Sequence, residues 1–145
     1  QGSSMVKVLI GVGVVVGLVV IIILVMMFSS ASQEQIQDRN SNIKGSLAIM
    51  LANGMVYQST NGSYENFCSN AYVTGPTAAV TALGGMTTCK VNTAADAWCA
   101  CATLNESSDE PAGSTFCIDH RGYKRVSQNT GGCEARCQTS GICVD

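Results

Sequence analysis

The chain has 145 residues, eight cysteines, a formal net charge of −2 and a hydrophobic fraction of 46%. That length allows one small domain with an appended segment, and so small a charge gives no reason to expect nucleic acid or an anionic membrane surface as a partner. The distribution says more than the totals: from Gln1 to Gln33 the only charged residue is Lys7, and all the cysteines lie between Cys68 and Cys143.

Val8 to Phe28 is an unbroken run of 21 residues with no charge, amide or proline. As a helix it spans about 30 Å, the thickness of a bilayer's hydrocarbon core. A core helix of a small soluble protein would need a polar face, and this run has none, so it reads as a membrane segment. Lys7 marks its cytoplasmic edge, and the positive-inside rule places the cysteine-rich part on the other side. A cleaved secretory signal is the alternative, with Met5 as a start and Ser29-Ser30-Ala31 as a small-residue cleavage site. The run is longer than a typical signal core, and Gln1 to Ser4 suit a mature N-terminus left by a processing peptidase. Gly13 and Gly17 form a GxxxG pattern with Gly11 nearby, spacing that lets helices approach closely.

Past the polar stretch 29–35, Ile36, Ile43, Leu47, Met50 and Leu51 trace an amphipathic helical stripe. One long helix is therefore expected over residues 1–57, with an apolar part 5–28 and an amphipathic part 33–57, ending near Gly54 or Asn61-Gly62. Residues 58–145 then form a disulfide-rich head. Ser59 to Pro76 reads as a loop, and Ala78 to Leu83 as a short helix or strand. Alternation from Ala97 to Leu104 predicts a strand, followed by strands over Ser114–Asp119 and Tyr123–Val126.

If Leu104 pairs with Ser114, then Ala102 faces Phe116 and Ala100 faces Ile118. One sheet face carries Trp98, Ala100, Ala102, Leu104, Phe116 and Ile118, and the other carries Cys99, Cys101 and Cys117. A slip of one residue would put Phe116 and Ile118 on the cysteine face, so hydrophobicity favours this register. The tail is expected to lie over the outer face, with Cys99, Cys101 and Cys117 bonded to Cys133, Cys137 and Cys143 in unknown order. Cys68 is left for Cys89. An even cysteine count outside an anchor reads as disulfides made in an oxidising compartment.

These elements, in this order, resemble the type IV pilin family. The resemblance is carried by Asn42-Ile43-Lys44-Gly45-Ser46-Leu47-Ala48, by the loop Asn61-Gly62-Ser63-Tyr64, and by Ala97-Trp98-Cys99 with Phe116-Cys117-Ile118-Asp119. The last two are similar to strands in pilins of ultra-small candidate-phylum bacteria. It implies an α+β fold, type IV pilin-like: a long N-terminal helix packed on a small antiparallel sheet with a disulfide-closed C-terminal region. It implies a subunit held in the inner membrane, then extracted by pilus assembly machinery into a homo-oligomeric helical filament on the cell surface. Adhesion to a host or partner cell, motility and DNA uptake are the family's roles. Val8, Gly11, Gly13, Gly17, Ile21, Leu24 and Phe28 would face lipid first and the filament core later. Met5 stands where the family usually has a glutamate, so hydrophobic packing must supply more of the assembly register here.

No nucleophile–base arrangement, phosphate loop or carboxylate cluster is legible, so neither an enzyme nor a cofactor is expected. Zinc at Cys99, Cys101, Cys133, Cys137 and Cys143 would need better ligand spacing than these show. His120 reads as a surface turn residue. Arg121, Lys124 and Arg125 read as solvated charges on a strand edge, which leaves nucleic acid open but unsupported. Asn61 and Asn105 each open a glycosylation sequon. The other functions considered are a membrane-anchored adhesin or binding module and a secretion-system pseudopilin.

Overall fold

A computed structural model describes residues 2–145 of the chain, with side chains over 13–27 and 32–145. The architecture is α+β: a long N-terminal helix, a four-stranded antiparallel sheet and four disulfides. The chain divides into two compact units, Gln1–Gln35 and Ile36–Asp145. Helix α1 covers Gly2–Asn61 and contributes to both. The amphipathic half of the helix groups with residues 58–145, because Ile43, Leu47 and Met50 of its stripe lie in the core they share.

Nothing before Pro76 breaks α1 by removing an N–H. It ends where Gly62 turns to φ +76°, a left-handed conformation that costs glycine little. Gly62 N–H donates to the Gln58 carbonyl at 2.7 Å and Asn61 Nδ2 to that of Tyr57 at 2.9 Å, so two carbonyls near the helix end are satisfied.

The sheet runs β1 (Thr87–Val91), β2 (Trp98–Thr103), β3 (Ser114–Asp119), β4 (Lys124–Gln128), in that order. Ala100 pairs with Ile118 and Ala102 with Phe116, the register that the hydrophobic pattern requires. Ile43, Leu47, Met50 and Tyr57 of α1 bury against Trp98, Ala100, Ala102, Leu104, Phe116 and Ile118. Each large side chain so buried stabilises the head by roughly 1.5–3 kcal/mol before its entropy cost. Gly54 lies where α1 meets Trp98: a Cβ there would stand 2.8 Å from the indole Nε1.

Several elements depart from the sequence expectation. The stretch read as a loop to Pro76 contains a 3₁₀ turn, Phe67–Ser69, and the first half of a helix α2, Ala71–Ala82, whose second half falls where a short helix or strand was expected. Asn70 caps α2 by accepting from Tyr72 N–H at 3.0 Å. Pro76 sits inside it and cannot donate to the Tyr72 carbonyl, but Asn53 Nδ2 does so from α1 at 2.7 Å. A tertiary hydrogen bond thus replaces the one proline removes. Strand β1 was not expected, because Thr87–Val91 lacks a hydrophobic alternation and is half-buried throughout. A short helix α3, Gly132–Arg136, organises the tail.

Candidate functional site

From Gly13 to Met27 every side chain of α1 is exposed, whichever way it points. Val14, Leu18, Ile21, Leu24 and Met27 each expose about half of their surface or more. A Cβ added to Gly13 or Gly17 would meet nothing within 4 Å. By length and composition α1 is the one helix among the described residues able to cross a membrane. A helix apolar all round needs lipid or protein on every side. Ile21 and Leu24 therefore sit on such a surface, as do Gly13 and Gly17. Lys7, Val8, Gly11 and Phe28 lie outside the residues whose side chains are described.

The head half of α1 carries a smaller surface of the same kind. Between Lys44 and Glu65 there is no charged residue. Gly45, Ile49, Ala52 and Val56 follow helical spacing on the side opposite the buried stripe, and all four are exposed. Met55 beside them is exposed as well. Water normally faces charge on such a helix, and here it faces a stripe without any.

Toward its N-terminal end the head is held by a polar clasp from α1 to the β2–β3 loop. Asn40, fully buried, donates through Nδ2 to the Asn105 carbonyl at 2.7 Å and to Glu110 Oε2 at 3.0 Å. Its Oδ1 accepts from Asn105 N–H at 2.8 Å. Lys44 Nζ lies 2.6 Å from Glu110 Oε1, and Ser107 Oγ donates to Glu110 Oε2. Burial pushes the Glu110 carboxyl up, but hydrogen bonds from Lys44 and Asn40, with the Lys44 charge, outweigh it and hold the pKa below the ordinary value.

The outer sheet face is closed by sulfur. Cys99 bonds Cys137, Cys101 bonds Cys133 and Cys117 bonds Cys143, while Cys68 bonds Cys89, so the partition expected from the two faces is the one present. Gly141, at φ +74°, passes over Ala97 so closely that a Cβ would lie 2.5 Å from its carbonyl carbon. Arg136 is fully buried beneath the tail, donating to the carbonyls of Thr115, Arg125 and Val144. Asp119, also fully buried, accepts from Cys143 N–H at 3.0 Å and pairs with Arg121. Burial raises its pKa, and the hydrogen bonds from Arg121 and Cys143 more than reverse this, leaving it low.

With every cysteine in a disulfide, the zinc alternative loses its thiolate ligands. Among the described residues no group of three or more His, Cys, Asp and Glu could hold a metal ion. His120 lies in the turn after β3, half-buried, with its ring centroid 6.4 Å from that of Tyr64. Lys124 and Arg125 are exposed on β4, and Arg125 lies 3.8 Å from Asp145. Sequence reasoning missed Asn40, Glu110 and Arg136, since polar residues in such numbers normally face water. No family model, curated protein or solved structure matches the chain.

Proposed function

We propose that this chain is a type IV pilin-like structural subunit, a membrane-held protein that polymerises through its apolar helix into an extracellular filament and performs no catalysis. The observation that carries the reading is that every described side chain over residues 13–27 is exposed, while the head is folded and cross-linked without them. Moving such a helix from lipid into a bundle of like helices exchanges one apolar environment for another, so extraction need not expose it to water. The gain then comes from close packing, for which Gly13 and Gly17 leave room. The uncharged stripe of Gly45, Ile49, Ala52 and Val56 gives the head a surface that tolerates burial against neighbours. Four disulfides suit a small head that must survive outside the cell.

The test is to shear filaments from cells that naturally make the protein, image them by electron microscopy and identify their bulk component by mass spectrometry. This chain should be that component. A chain that stays monomeric in the membrane fraction of cells bearing filaments would support the membrane-anchored binding module instead.

A further inference from the structure

We infer that Asn61 is an N-glycan acceptor and that Asn105, the other sequon asparagine, is excluded from that role by the fold. The inference rests on that part of the proposed reading which puts the head on the extracytoplasmic side of the membrane, and it holds whether or not the chain polymerises. N-glycosylation forms a bond from the side-chain amide nitrogen to the anomeric carbon of a sugar. The bond from that carbon to a lipid-linked pyrophosphate breaks, the pyrophosphate leaves with the electron pair, and one amide proton is lost to a base. The co-reactant is thus a lipid-pyrophosphate-linked saccharide, delivered by a membrane transferase. The product nitrogen retains a single N–H, and a folded acceptor must do without the other.

The two asparagines differ on that count. Asn105 Nδ2 donates at 3.1 Å to Asn40 Oδ1 and at 3.1 Å to the Leu83 carbonyl, so both of its hydrogens are in use. Its sequon hydroxyl is engaged too, since Ser107 Oγ donates to Glu110 Oε2 and accepts from Glu110 N–H. Asn105 is half-buried, Ser107 is buried, and the partner Asn40 is fully buried. A sugar there would break the clasp between α1 and the β2–β3 loop. Asn61 Nδ2 donates once, to the Tyr57 carbonyl at 2.9 Å. The residue is exposed on the last turn of α1, its sequon neighbour Gly62 has nothing within 4 Å of its Cβ position, and Ser63 is half-exposed, its Oγ only accepting a long bond from Glu65 N–H at 3.4 Å. One N–H keeps the helix end capped, and the other is replaceable at no cost to the fold.

Intact-glycopeptide mass spectrometry on the protein purified from its native cells tests this. Because Asn61-Gly62 also deamidates spontaneously, sugar fragment ions and not the aspartate product must be the readout. The peptide spanning Asn61 should carry a saccharide mass that Ser63→Ala abolishes, with Asn61 itself intact. Asn105→Gln should leave that added mass unchanged. An unmodified Asn61, a saccharide on Asn105 in folded protein, or an added mass that survives Ser63→Ala would each overturn the inference.

Discussion

Residues 13–27 and the head beginning at Ile36 solve opposite problems with the same chain. In the first, every described side chain is exposed and none is polar. In the second, even the buried polar groups Asn40, Glu110, Asp119 and Arg136 have named partners. The head has a buried core and cross-links of its own. On the proposed reading folding belongs to the head and assembly to the apolar helix, so disturbing each should leave the other's behaviour standing.

The largest separation should come from sulfur. Replacing Cys99 and Cys137 together by alanine removes a cross-link spanning 38 residues, which loop entropy makes worth about 4 kcal/mol. Thermal unfolding of the head should drop markedly, yet extraction of the chain from membranes should still require detergent. Ile21→Asp reverses the pattern. A carboxylate at the middle of a spanning helix costs about 2.5–3.5 kcal/mol on insertion, so membrane recovery and filament yield should fall while head melting is unchanged. A third perturbation sits inside the head's own half of α1. Gly54→Ala drives a methyl into the Trp98 indole, and overpacking of this kind costs about 1–3 kcal/mol. Denaturant titration should register it, and filament yield should follow only as far as folding does.

The smallest effect is that of pH. Both Glu110 and Asp119 have folded pKa values lowered below their ordinary ones. The stability they contribute is thus fully present above the ordinary carboxylate range, near pH 4, and is lost as pH falls through the lower folded values. Glu110→Gln should flatten part of this acid limb in a pH series of melting temperatures. A flat profile in the unsubstituted protein would show that the clasp and the Asp119 contact contribute nothing.

How much of this was legible in the sequence depends on which force set each element. The alternation of Ala100 and Ala102 with Cys99 and Cys101 fixes two sheet faces, and Phe116 and Ile118 fix the register, so the disulfide partition could be reasoned from hydrophobicity. Their order could not, because the tail has too few apolar residues to position Cys133 against Cys101 and not Cys99. The first half of helix α2 was hidden by Pro76, whose local penalty is offset by Asn53 from a distant part of the chain. Strand β1 was hidden because Thr88, Cys89 and Lys90 gain their places from Cys68, Glu134 and β2, none of which is local. Arg136 was invisible for the same reason: its guanidinium donates to three carbonyls, the Tyr123 hydroxyl and the Asp145 carboxylate, which converge only after folding. On the apolar helix the sequence was nearly sufficient, since length and composition alone mark it as able to cross a membrane.

The claim that assembly belongs to the apolar helix is tested most directly by a helical reconstruction, from electron micrographs, of filaments sheared from native cells. The account expects density for residues 13–27 bundled along the filament axis, with disulfide-closed heads around it. Filaments whose axis is built from other parts of the chain, with 13–27 facing solvent or absent, would contradict it.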